Sequence, residues 1–198
     1  VGTTLVNGNS TTVPWKVDRS KSSQDWNDTS SWQNGQVPST DGTANITFGS
    51  SDEEEQRIKL PGSIDVKTLS FSNGSAYSFE SLSTSGSITI RDYLELLTGS
   101  VESEVYFNSD LSLNVVSNLE FKVGADTEVE FEGNVNADSS RIIKVTGAGA
   151  LLLSANNSDS LNGRINVVNG ILGLGNNSTA GQAVIELGES TTTTNTNK

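Results

Sequence analysis

The chain reads as all-β, and within that class as a parallel β-solenoid in preference to an antiparallel β-sandwich. Three observations carry this. From Ile58 onward, short segments alternate apolar and polar residues with period two, the period of a strand with one dry face and one wet face. Charged residues make up only 18% of the 198, so the polarity comes from Ser, Thr, Asn and Gly, which suit turns and half-exposed strands. Apolar strand centres near Phe71, Ile90, Leu113, Phe131, Leu152 and Leu172 also recur at roughly 20-residue intervals, of the order of one coil in a repeat array. The sandwich stays open as the alternative, because SNG at 72–74 and VNG at 168–170 can turn hairpins.

Residues 1–14 form the first unit. VGTTLVNGNSTTVPWKV alternates weakly and is stopped at Pro14, which fits an edge strand or extended arm and not a helix. Residues 15–57 follow as an N-terminal cap region, irregular and polar around Trp26 and Trp32. Within it, SDEEEQ at 51–56 sets four acids side by side, whose mutual repulsion predicts a solvated loop. Residues 58–188 carry the solenoid, as IKL, IDVKTLSF, AYSFES, SITIRDYLELL, EVYF, LSLNVV, LEFKV, EVEFEG, RIIKV, ALLLS, RINVV, ILGLG and AVIEL. In LEFKVGADTEVEFEG, Leu119, Phe121 and Val123 project to one face and Glu120 and Lys122 to the other, and Val129 and Phe131 repeat this against Glu128, Glu130 and Glu132. Residues 189–198 read as a polar, flexible tail.

Composition excludes several classes of function. The chain has no Cys and no His, so it holds no disulfide, no thiolate nucleophile and no Ser-His-Asp triad. It also lacks the side chain best suited to proton transfer near neutral pH. A net charge of -12 opposes binding to nucleic acid or to an anionic membrane face. No apolar run approaches the roughly 20 residues a membrane-spanning helix needs, so membrane insertion is not expected. Val1 begins without a basic or apolar leader, which fits a mature chain whose signal peptide has been removed.

Two stretches carry a family likeness. WNDTSSWQNGQVPSTDGTANITFGSS, residues 26–51, has a tryptophan pair, an N-G-x-V-P turn, a D-G step and a short A-x-x-x-F strand. VTGAGALLLSANNSDSLNGRINVVNGILGLGNNSTAG, residues 145–181, has a G-x-G-x-L-x-L-S strand, an Asn-rich loop, an N-G turn and an L-x-L-G-N ending. Together they resemble bacterial autotransporter-associated β-strand-repeat proteins, the second stretch more specifically, over about a third of the chain. The resemblance implies a right-handed parallel β-helix displayed outside the cell as a stalk or passenger. No outer-membrane barrel follows in this sequence, so the expectation is an excised or processed passenger or a free subunit.

Within the second stretch, Gly147 and Gly149 permit a tight corner before Leu151 and Leu153 turn inward, and Asn169-Gly170 supplies a turn with positive φ. Asn156, Asn157, Asn176 and Asn177 sit where corners stack, so they are candidates for a side-chain amide ladder, or are turn formers alone. Asn-x-Ser/Thr triplets occur at Asn9, Asn27, Asn45, Asn73, Asn156, Asn176 and Asn177, at a density an Asn- and Ser-rich chain reaches by chance.

The leading functional expectation is a non-enzymatic extracellular structural protein, a surface stalk or a fibre-forming subunit. Its last rung, Ala183, Val184, Ile185, Glu186 and Leu187, would pair with another subunit's first rung or accept its arm, Thr3, Thr4, Leu5 and Val6. A carbohydrate-binding adhesin is the alternative, with Trp26, Trp32 and Tyr77 as glycan contacts, set against a reading in which the tryptophans cover the end of the array. A polysaccharide lyase or hydrolase is the third, with Asp92 and Glu95 beside Arg91, or Glu128, Glu130 and Glu132, as the acids. No cofactor is expected, and calcium is a candidate at Asp52 to Glu55, although the spacing is not that of an EF-hand loop.

Overall fold

A computed structural model describes residues 12–52, 54–72, 74–97, 102–175 and 180–188. Among them the chain forms a β-solenoid of about six turns, with no α-helix. The first coil holds β1 (Thr12–Pro14), β2 (Ser23–Asp25), a single 3-10 turn (Thr29–Ser31) and β3 (Asn45–Phe48). The second holds β4 (Gln56–Leu60) and β5 (Ser63–Phe71), and the third β6 (Ala76–Ser81) and β7 (Gly86–Leu96). Then come β8 (Ser103–Phe107), β9 (Leu111–Val115) and β10 (Leu119–Val123), followed by β11 (Thr127–Phe131), β12 (Val135–Ala137) and β13 (Ile142–Gly147). β14 (Ala150–Leu153) with β15 (Arg164–Val167), and β16 (Ile171–Leu174) with β17 (Val184–Leu187), complete it.

Every strand-to-strand ladder among these is parallel, which rules out the antiparallel sandwich. One sheet runs β16-β14-β11-β8-β6-β4-β2, and the other runs β1-β3-β5-β7-β10-β13-β15-β17 with β9 and β12 branching from β7. The branch exists because β5 and β7 each turn a corner. Ser63–Val66 pair with Ser87–Ile90 and Thr68–Phe71 with Tyr93–Leu96, so Arg91 and Asp92 stand against the single residue Lys67. An extra residue of this kind is a β-bulge, which bends its strand. Below the bend, β9 continues the first half of β7 and β10 the second, giving the middle coils a third face.

In-register stacking turns the alternation of each strand into continuous columns. Val13, Ile46, Leu69, Leu94, Phe121, Val145, Val167 and Leu187 follow one another across one sheet. Gln24, Ile58, Phe79, Phe107, Phe131, Leu153 and Leu174 follow one another across the other. Rings in this second column lie face to face, Phe79 on Phe107 at 4.8 Å and Phe107 on Phe131 at 4.2 Å, and elsewhere Phe48 lies on Phe71 at 4.6 Å. The roughly 20-residue recurrence was therefore sound in scale, but the six centres that suggested it do not stack. Leu152 faces outward opposite Glu130, Phe71 lies on the stretch after the bend, and Leu113 stacks on Ile88 and not on Ile90.

Outward polar residues in register also pair from rung to rung. Asn136 Nδ2 donates to Asn114 Oδ1 at 2.9 Å and Thr68 Oγ1 to Asn45 Oδ1 at 2.9 Å. One amide pair thus forms between rungs, on the strand residues Asn136 and Asn114. Asn157 is fully buried and acts alone, its Oδ1 accepting from Val135 N at 2.7 Å while its own carbonyl accepts from Ser160 and Leu161. It does so where the sixth coil has no strand to stack on β12. Asn176 and Asn177 lie outside the described residues.

Candidate functional site

The two ends of the solenoid differ in kind. At the head, β1 bonds to β3 on one edge, and its other edge is taken by a strap from the same chain. Lys16 N donates to Ser31 O at 2.8 Å and Gln33 N to Pro14 O at 3.1 Å, an antiparallel bridge between Trp15 and Trp32. Asp28 sets up the strap by accepting from Ser30 N at 2.8 Å, which closes the 3-10 turn that swings the chain back over β1. These bonds to Ser30 hold the Asp28 carboxyl below its ordinary value. Ser31 Oγ donates to Asp25 O, and Gln24, the first member of its column, uses its side chain to bond Lys16 O and Asp18 N.

Beneath the strap lies a cluster of tryptophans. Trp15 meets Trp32 edge to face at 4.8 Å, Trp26 meets Trp32 likewise at 4.8 Å, and Trp15 reaches Phe48 at 5.8 Å. Trp32 Nε1 donates to Trp26 O at 2.8 Å. The cluster closes the inner column with rings and leaves Val13 only 4% exposed.

The tail has no such cover among the described residues. Val184 N donates to Gly163 O and Gly188 N to Val167 O, so the alternate backbone groups of Ile185 and Leu187 point to the open edge of β17. Ile185 and Leu187 continue the inward columns of Ile165 and Val167, yet they are 39% and 74% exposed. Ile171, Leu174 and Val184 are exposed beside them. Ala183, partly buried, packs against the core just before β17. The predicted assembly residues Ala183–Leu187 thus form the last rung, whereas Thr3–Val6 lie outside the described residues.

The rings expected to contact glycans face inward. Trp26, Trp32 and Tyr77 are 0–2% exposed, and Tyr77 donates its hydroxyl to Gly49 O at 2.8 Å. Burial pushes the Tyr77 phenol well above its ordinary value. A stacking platform needs a free ring face, and these three present none.

The acids expected in catalysis fall into two groups, and neither is joined to a basic partner as expected. Arg91 does not serve Asp92 or Glu95, for its guanidinium grips Asp65 through Nε–Oδ1 at 2.8 Å and Nη2–Oδ2 at 2.5 Å. Glu128, Glu130 and Glu132 do share one outward face, with Glu104 opposite Glu128 and Tyr106 opposite Glu130 in the neighbouring rung. Partial burial, then the charges of Glu130 and Glu104, raise the Glu128 carboxyl above its ordinary value. Glu130 accepts from Ser154 Oγ, and burial beside Glu132 and Glu130 raises the Tyr106 phenol. This face is an acidic patch without a cationic side chain opposite these acids.

The candidate calcium loop is divided between partners. Arg19 pairs with Asp52, while Glu55 meets Arg57 at 3.4 Å and accepts from Ser78 Oγ at 2.8 Å. Among the described residues no three carboxylates are grouped to hold a metal ion. The strap and the Arg91–Asp65 grip escaped sequence reasoning. The signal for the first was Asp28, a residue type that caps a turn by accepting from the N–H two residues on, here Ser30. No protein-family model matches the chain, and no curated protein and no solved structure matches it.

Proposed function

We propose that this chain is a non-enzymatic structural element of the cell surface, a stiff solenoid that associates with other copies through its open end. The observation that carries the reading is the uninterrupted inner column, closed by tryptophans at Val13 and, among the described residues, uncovered at Leu187. A column of buried rings and branched side chains, with backbone bonds running along its axis, resists bending, and an uncovered rung offers both apolar surface and free backbone groups. The likeness of residues 26–51 and 145–181 to autotransporter-associated β-strand repeats supports display outside the cell as a passenger-type segment.

Eight strands on the longer path span seven steps of about 4.8 Å, so the described rungs stand about 34 Å tall. Small-angle scattering combined with light scattering over a concentration series tests the proposal. Self-association through the end gives particles that lengthen along one axis at constant cross-section. A monomer at every concentration, or growth in cross-section, rejects it.

A further inference from the structure

The geometry points to a second copy of this chain as the occupant of the open tail, joined tail to tail about a two-fold axis in a closed pair; this rests on the self-association reading and specifies its mode. The head of another copy is a poor fit. Its β1 edge is already bonded to Ser31 and Gln33, and the column of the other sheet begins at the polar Gln24, whose amide bonds Lys16 and Asp18. Stacking a head on a tail leaves Ile185 and Leu187 facing a strap that has no free backbone groups to return at Pro14 and Lys16.

A second tail supplies what is missing. A two-fold axis reverses strand direction, so β17 meets its counterpart antiparallel, and directly opposed residues then point to the same face. With the axis at Ile185, the inward side chain meets an inward side chain. The backbone groups of Ile185 that point to the open edge exchange hydrogen bonds with their equivalents. Charge agrees. In a chain of net charge -12, residues 164–188 carry one cation and one anion, Arg164 and Glu186, which pair with each other at 3.4 Å. Two tails approach without the repulsion that the Glu104, Glu128 and Glu130 faces impose on side-by-side contact.

The absence of cysteine makes the test clean. In a hydrogen-bonded antiparallel pair the Cα atoms lie about 5.5 Å apart, within the range a disulfide bridges. An Ile185→Cys variant is oxidised mildly, beside a Glu130→Cys control of unchanged circular dichroism, and the untouched chain is weighed by light scattering. The proposal expects a particle of twice the chain mass and no higher species, rapid disulfide-linked dimer from Ile185→Cys and at least tenfold slower linkage from Glu130→Cys. It also expects loss of the dimer in Leu187→Glu. Open-ended polymers overturn the two-fold mode while leaving end-to-end association standing; a monomer overturns both. Equal linkage of the two cysteine variants overturns the tail as the contact.

Discussion

Gly42 shows how a single position ties the head of the solenoid to its flank. Its φ is +82°, and a Cβ there would lie 1.9 Å from Arg91 Nε and 2.5 Å from Arg91 Cδ. Arg91 lies across it while gripping Asp65, whose carbonyl accepts from Gly42 N at 3.0 Å. Gly42→Ala meets both the left-handed backbone penalty and the loss of that grip, and is expected to lower stability by about 2 kcal/mol. Urea unfolding followed by tryptophan fluorescence reads this directly, because the reporting rings sit in the head.

Glu128 decides a pH effect of opposite sign from that of Asp18, Asp41 and Asp138. Its carboxyl is raised in the fold by burial and by Glu130 and Glu104, so the folded state holds the proton more tightly than the unfolded one. Stability at this site therefore falls as pH rises from about 4.3, the ordinary Glu value, through the raised value. Glu128→Gln is expected to stabilise the chain by about 0.5 kcal/mol at pH 7, by relieving like charges set opposite each other, with the gain vanishing below about pH 4. Asp18, Asp41 and Asp138 act the other way. Hydrogen bonds from Ser20, Thr43 and Ser140 lower their carboxyls, and what they contribute is lost as pH falls through those lowered values. Melting temperatures of the two proteins across pH 3 to 8 separate the contributions.

At the scale of the strand, the aromatic column is the element most sensitive to loss. Phe107 is fully buried between Phe79 and Phe131, with both neighbours stacked on it within 5 Å. Phe107→Ala leaves a gap that parallel rungs, fixed at their spacing by backbone bonds, cannot close by moving together. A loss of about 4 kcal/mol is expected from the chemical denaturation midpoint at unchanged slope. The strands themselves were legible because strict alternation, as in LEFKV and TEVEF, specifies which side chains turn inward. The long β5 and β7 were less so. SIDVKTLSF and GSITIRDYLEL read as single strands, and nothing local marks Lys67 or Arg91-Asp92 as the corner between two faces. That corner is set by pairing between rungs, because a bulge exists only relative to a partner strand.

At the scale of the molecule, order should decline toward the tail. Each rung is held by its two neighbours, and β17 has one, with three of its four residues apolar and exposed. Amide hydrogen exchange is expected to release Val184–Leu187 first and Val105–Phe107 with Val129–Phe131 last. Uniform protection from head to tail contradicts this, unless the tail is covered by another copy, in which case dilution restores the gradient.

The amino-acid sequence by itself determined that the chain is all-β, that each strand has a dry and a wet face, and which functional classes lack the side chains they require. Those are properties of residue type and of nearest-neighbour spacing. Tertiary structure alone decided that Phe79, Phe107 and Phe131 form one column, that a strap lies over the tryptophans the sequence offered as an end cover, and that among the described residues the other end is open. The physical reason is that hydrogen bonds between rungs join residues some 22 to 28 positions apart, as Val135 to Asn157 and Tyr77 to Gly49 show. Register over such distances is settled by which columns fill, and no local pattern records it.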